Sequence, residues 1–384
     1  MLFFSAVICI TSANSINDSI FNNFLVDVYD MSAGMRGFLE FPRELPGLLV
    51  VLMTGVLCML SITHLGVVGA AILTCGLACL GLFGQSFVPM LFAMVIGSAG
   101  LHLLQPVDVS IAIGLSKEGG RGRRMGQHQA IATFGAILGS GGVWLLFDRA
   151  NPQYRTAFLC ASIMACIGAC IYACMNIPHL RQPRARLVVM RKYRLYYMLE
   201  LLFGARKQVF ITFGPWVLIQ EYGQTAKGIA GLLMIAAFLG LAVKPLVGII
   251  IDHIGERAVM IFDGLSTSVV CLGYGYAGWL MGSNEQALYL ASACYVLDNL
   301  LFCLGTGRAV YVSRIASSPQ EITSTVSMGI SINHVASMII PCIAGALWSV
   351  LGYERLFLSA GFLALVTAAV AWQVPGRKNA SSSA

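Results

Sequence analysis

Arg36, Glu40, Arg43 and Glu44 stand at i, i+4, i+7 and i+8 in the stretch RGFLEFPRELPG, which runs directly into the apolar LLVVLMTGVLCML. On a helix that spacing puts all four on one face, where two cations and two anions can pair along the axis. Asn14, Asn17, Asp18 and Asn22 recur at i, i+3, i+4 and i+8, a polar stripe that packing alone does not require. Arg206, Lys207 and Gln208 are consecutive and follow Glu200; neighbours on a helix point about 100° apart, so they cannot share one face. Such groups exchange protons, pair with one another, or hold a polar solute. An arginine fork matches a carboxylate or phosphate in particular. Further polar groups are Asp298 and Asn299, Asn333 and His334, the series His102, Gln105 and Asp108, and Lys244 before Pro245.

The segments that carry these groups are apolar. The chain has 384 residues, 58% hydrophobic and 11% charged, with a mean hydropathy of +0.79. Soluble domains carry about 25% charged residues, so the composition points to a membrane protein. A helix needs about 20 mostly apolar residues to cross the hydrocarbon. Runs of that kind number about twelve, near 2–27, 33–59, 67–84, 88–115, 125–147, 157–175, 192–219, 228–251, 259–281, 287–313, 323–348 and 353–373. The first, second, seventh and tenth are diluted by polar residues. A charge facing lipid costs at least about 2.5–3.5 kcal/mol at the bilayer centre, so the groups above are expected to face a wet cavity or one another.

Twelve cysteines fall inside these spans and none has metal-knuckle spacing; Cys166, Cys170 and Cys174 repeat every four residues and read as small packing residues. Aromatic residues such as Phe210, Phe213, Trp216, Tyr274 and Tyr276 read as packing or interface anchors. The first span has no basic flank and no clear cleavage site, so a removable signal peptide is not expected.

The net charge of +7 reports orientation rather than nucleic-acid binding. If the spans alternate, one side holds Lys117, Arg121, Arg123, Arg124, Arg181, Arg184, Arg186, Arg191, Lys192, Arg194, Arg257, Arg314, Arg377 and Lys378. The other holds Arg149, Arg155, Lys227 and Arg355. The cation-rich side is therefore expected to be cytoplasmic, with both termini and the central loop on it, and the plasma membrane is the expected site.

The basic stretch NIPHLRQPRARLVVMRKYR, 176–194, divides the chain near its midpoint. THLGVV at 63–68 follows span 2, and DHIGER at 252–257 follows span 8, an offset of 189; at the same offset Asn17 and Asp18 fall on Arg206 and Lys207. The expected organisation is a six-helix bundle over 1–175, a cytoplasmic linker over 176–194, a second bundle over 195–373 and a cytoplasmic tail over 374–384. Parallel six-helix repeats are a transporter pattern.

GIIIDHIGER, 248–257, resembles the loop signature of the major facilitator superfamily: Gly248, Asp252, Gly255 and Arg257 match, while His253 and Glu256 replace basic positions. In the first half, Thr63 stands at the aspartate position, and His64 and Gly66 echo the rest. GQHQAIATFGAILGSGG, 126–142, resembles the superfamily's helix-5 glycine motif through Gly126, Gly135 and Gly139. Ser140 replaces its proline, and Gly141 and Gly142 come early. The resemblance implies an all-α membrane fold of twelve helices in two parallel-repeat bundles and secondary transport by alternating access.

On that basis Asn14, Asn17, Asp18, Arg206, Lys207, Asp298, Asn299 and His334 are the expected solute-binding residues. Arg36, Glu40, Arg43, Glu44 and Asp252 are the expected gate or proton-coupling residues. Asp18, Glu40 and Asp298 are the carboxylates suited to carry a proton. Asp18 and Glu200 are candidate neutralisers of Arg206 and Lys207. The partners expected are a small polar or anionic solute, protons and the lipid bilayer, with a monomer sufficient and nucleic acid excluded. Efflux of lipophilic or cationic compounds is the alternative, and a polytopic enzyme or a non-transporting sensor is the alternative of another class. No phosphate-cradling Gly-Lys-Ser/Thr loop, zinc-binding His-Glu-x-x-His or soluble domain is present, so no cofactor, metal or enzymatic activity is expected.

Overall fold

The computed structural model describes residues 1–57, 59–116, 121–148, 151–177 and 189–376. Cys58, Lys117, Arg149, linker residues 178–188 and the tail from 377 onward lie outside the described residues. Those described form helices, with no strand among them: α1 (Leu2–Tyr29), α2 (Ala33–Val56), α3 (Ile62–Phe83), α4 (Phe87–Gly114), α5 (Arg121–Leu146), α6 (Tyr154–Ala173), α7 (Arg194–Gln220), α8 (Ala226–Ile254), α9 (Glu256–Gly275), the single turn α10 (Ala277–Leu280), α11 (Asn284–Leu301), α12 (Thr306–Ile315), α13 (Pro319–Leu351) and α14 (Tyr353–Ala371). A 3-10 turn, Phe302–Gly305, joins α11 to α12, so the two count as one span. Among the described residues nine helices are long and apolar enough to cross a membrane, that composite included. α1, α2 and α7, with 28, 24 and 27 residues, are also long enough. Their hydropathy is lowered by the polar stripes. Together these are twelve helices of membrane length in the order the sequence implies. Prolines inside α2, α4, α7, α8 and α13 do not end them, as is common where neighbouring helices resatisfy the backbone.

The chain forms two compact units. Unit 1 is Met1–Met31, Pro42–Arg184 and Gln224–Leu241; unit 2 is Ser32–Phe41, Ala185–Gly223 and Ala242–Ala384.

In unit 1, α3 packs on α4 and α6, and α1 on α5 and α6. α3 and α4 cross where Gly76 meets Gly97: a Cβ at Gly76 would sit 2.3 Å from the Gly97 nitrogen. Small residues permit that close approach, which dispersion and weak polar contacts favour in lipid. α1 and α5 are tied by Ser12 and Ser15, whose hydroxyls donate to the Gly135 and Ala136 carbonyls, both at 2.9 Å. Phe24 stands edge-on to Tyr29, Tyr154 and Phe158. In unit 2, α7 packs on α13 and α14, and α9 on α14 and α11. Phe210, Tyr274 and Phe357 form its aromatic centre, and the Tyr274 hydroxyl donates to the Gly214 carbonyl.

Cys271 and Cys294 are buried, as the packing expectation requires. Cys166 and Cys170 on α6 and Cys174 just past its end are exposed instead, a correction: there a thiol serves as a small apolar surface residue.

Between α8 and α9 the chain turns at Gly255, with φ 83° and ψ 156°. Side chains disfavour that region strongly. Nothing lies within 4 Å of a Cβ built there, so any penalty comes from the backbone alone. Gly255→Ala is expected to destabilise the protein by about 1–3 kcal/mol, measured as a fall in the thermal unfolding midpoint in detergent. Gly248, with equally open space and no positive φ, is the control and is expected to tolerate alanine.

Candidate functional site

The polar centre of unit 2 grows from three consecutive residues of α7. Because neighbours diverge by about 100°, each reaches a different helix. Arg206, 3% exposed, donates through Nη1 to Asp298 Oδ1 of α11 at 2.9 Å. Its Nη2 donates to Asp263 Oδ1 of α9 at 3.2 Å. Lys207 Nζ donates to Asn333 Oδ1 of α13 at 2.9 Å. Gln208 Nε2 donates to Glu40 Oε2 of α2 at 3.0 Å, and Glu40 also takes the guanidinium of Arg36 one turn earlier. One segment of α7 thus binds α2, α9, α11 and α13. Phe203 and Phe302 stand within 5.3 and 5.6 Å of the Arg206 guanidinium, lowering the local dielectric and strengthening its charge contacts. Toward the other end of α7, Arg308 Nε donates to Glu200 Oε1 at 2.9 Å and lies over the Phe203 ring.

The pairing differs from the sequence expectation. Arg206 is matched by Asp298 and Asp263, not by Asp18 or Glu200. Asp18 accepts from Asn14 Nδ2 at 2.8 Å on its own helix, and Glu200 serves Arg308. The reason is topological: residues 92 positions apart meet once α7 and α11 pack. Asp263 and Arg308 were not among the expected site residues. Each is a lone charge in an otherwise apolar run, which was the available signal.

The α2 charges pair along the helix, as their spacing implies. Arg36 and Glu40 belong to unit 2, where Arg36 also faces Trp216. Arg43 and Glu44 belong to unit 1, with Arg43 Nη2 3.5 Å from Glu44 Oε1 and Glu44 3.9 Å from His102 Nε2 of α4. In α1, Asn14 and Asn17 are half-buried, Asp18 is exposed and Asn22 is buried. Asn299 Nδ2 donates to the Tyr295 carbonyl of its own helix at 2.9 Å, so its amide is turned along α11. His334, on α13 one residue past Asn333, is half-buried. Asp108 is buried in unit 1 and accepts from the Tyr172 hydroxyl.

At the signature turn Asp252 is exposed in the last turn of α8. Glu256, which replaces a basic position, is 4% exposed and pairs with Arg314 of α12 at 2.5 Å. In the first half, Ser61 caps α3 by accepting from the His64 backbone at 3.3 Å. In the glycine motif, Gly135 and Gly139 face α1, whereas Gly126 and Gly142 meet nothing.

The sequence matches the family model of the Major Facilitator Superfamily over residues 3–330. No curated protein sequence matches it. Among solved structures it is similar to the nucleoside transporter NupG, at 11% identity and a TM-score of 0.76, over 96% of this chain and 97% of that one. A POT family transporter in complex with 5-aminolevulinic acid aligns at 12% identity and 0.77, over 96% and 94%. A D-xylose-proton symporter aligns at 15% and 0.72, over 99% and 97%. At these identities the likeness is one of fold.

Proposed function

The chain belongs to the Major Facilitator Superfamily, and from that premise we propose that it is a proton-coupled secondary transporter of a small polar solute, working by alternating access. Family membership makes it a multi-pass membrane transporter and not an enzyme.

One observation carries the coupling: a single buried guanidinium, Arg206, shared by two carboxylates, Asp298 and Asp263. Either carboxylate can take up a proton while the other keeps the arginine paired. A proton can therefore come and go without stranding a charge in a region where that is costly. The same triad bears on the solute. Its carboxylates already engage Arg206, so that arginine offers an anion no excess positive charge. Lys207 and Asn333 supply a cation and an amide, which suit hydroxyl and carbonyl groups as well as an anion. A neutral polar solute is favoured over an anionic one. Two of the fold neighbours are described as a nucleoside transporter and a D-xylose-proton symporter, both named for uncharged polar molecules. Asn14, Asn17, Asp18, Asn299 and His334 remain proposed solute contacts, and Arg36, Glu40, Arg43, Glu44 and Asp252 proposed gate residues. The proposal further places bundles over 1–175 and 195–373, both termini in the cytoplasm, the protein in the plasma membrane, and a monomer as the working unit.

The test is uptake into proteoliposomes of neutral sugars, nucleosides, organic anions and hydrophobic cations under an imposed pH gradient. Accumulation of a neutral polar solute supports the proposal; export of hydrophobic cations alone overturns it. With the substrate in hand, Asp298→Asn is expected to cut gradient-driven accumulation about tenfold while leaving exchange at equal pH intact, because the titrating group is lost and Asp263 still holds Arg206. Equal loss of both activities would refute the proton role.

A further inference from the structure

Unit 2 carries a concave site away from the Arg206 cluster, at the end where α7 and α13 finish and α14 begins. It is a cavity of about 560 Å³ whose lining includes Ser32, Glu221, Trp348, Ser349, Tyr353 and Glu354. Two carboxylates face it, and no lysine or arginine lines it. Neither carboxylate forms an ion pair among the described residues. Glu354 is in the first turn of α14, where the helix dipole favours an anion. Glu221 follows the last residue of the 27-residue α7, where the dipole disfavours one. Burial and the charge of Glu354 both push the Glu221 carboxyl above its ordinary value. Two like charges thus share the site, one at the unfavourable end of a helix, with no cation among the described residues paired to either. Two aromatic residues also line it: the Trp348 and Tyr353 rings lie 5.9 Å apart at 48°.

We propose that this open cavity is a binding site for a small organic ammonium ion, held by Glu221 and Glu354 and flanked by Trp348 and Tyr353. Carboxylates alone suit any cation. The indole and phenol faces select a soft, weakly hydrated one, since cation–π attraction is strongest where the cation sheds its water readily. A compact inorganic ion would lose hydration without gaining from the rings. The site is independent of the Arg206 cluster, so it acts beside the transport proposal and does not rest on it.

The experiment is equilibrium dialysis of radiolabelled tetramethylammonium against the purified full-length protein in detergent. Expected is saturable binding at one site per chain. It weakens about tenfold in Glu221→Gln/Glu354→Gln and in Trp348→Leu, and is largely kept in Trp348→Phe, which retains an aromatic face. Binding should fall as pH drops and the carboxyls take up protons. Asp298→Asn, in which Asp263 still holds Arg206, is expected to leave it unchanged, which separates failure here from failure of the transport proposal. A double glutamine variant with an unaltered unfolding midpoint and unaltered binding would overturn the proposal. So would displacement by equimolar calcium, which would mean that charge alone is recognised.

Discussion

Arg206→Met is expected to be the most damaging single substitution in unit 2, costing about 3–5 kcal/mol of stability and abolishing uptake. The side chain is 3% exposed, and its partners Asp298 and Asp263 are 1% and 4% exposed. Methionine fills much of the same volume, so packing is nearly conserved and the loss is electrostatic. Two carboxylates would be left close together, away from water and without a cation. Removing their charge as well should recover part of the loss: Arg206→Met/Asp298→Asn is expected to be more stable than Arg206→Met alone, because an unpaired buried charge costs more than an absent pair. Thermal unfolding of the three proteins in one detergent decides the matter. A single variant that melts within about 1 kcal/mol of the parent would mean that water reaches the triad and screens it.

The second large effect is steric and lies in unit 1. Gly76→Val is expected to prevent stable assembly, with a cost above about 3 kcal/mol, the upper end for overpacking. The new Cβ would meet the Gly97 nitrogen at 2.3 Å and its Cα at 2.5 Å. Both are backbone atoms, so relief requires moving a whole helix. The reciprocal change is not equivalent. A Cβ at Gly97 meets only the Gly76 Cα, at 3.9 Å, which is ordinary contact, so Gly97→Ala is expected to be tolerated. Monodispersity on size-exclusion chromatography and the unfolding midpoint report both. If Gly97→Ala were as harmful as Gly76→Val, the crossing would be closer to symmetric than the coordinates place it.

Much of this arrangement is legible in the sequence, and the boundary of legibility has a physical cause. Hydropathy over windows of membrane length reveals the spans because the bilayer imposes one requirement on all of them. The divergence of Arg206, Lys207 and Gln208 follows from helical pitch, and no two of them share a partner helix: Arg206 reaches α9 and α11, Lys207 α13 and Gln208 α2. Partner identity does not follow from pitch. Charge makes Asp18 and Glu200 candidate neutralisers of Arg206 and Lys207, yet Asp263 and Asp298 hold Arg206, since contact between helices depends on which faces pack. The α2 charges show the same limit. Their spacing gives pairing along the helix, but the contact of Glu40 with Gln208 and of Glu44 with His102 comes from neighbours that α2 itself does not encode. Glu256, which stands at a basic position of the signature, is in the structure one half of an ion pair with Arg314, a departure with its own complement.

The 3-10 turn between α11 and α12 sets the angular phase of everything beyond it. Over the ten steps from Asp298 to Arg308 an unbroken α-helix would rotate about 1000°, leaving the two residues about 80° out of register. Four of those steps taken at about 120° bring the total to about 1080°, three whole revolutions. Asp298 and Arg308 are thereby returned to a common azimuth, the one that faces α7, where Arg206 and Glu200 await charges of opposite sign. The short overwound passage works as a phase corrector, letting a single span present an anion and then a cation to the same neighbour.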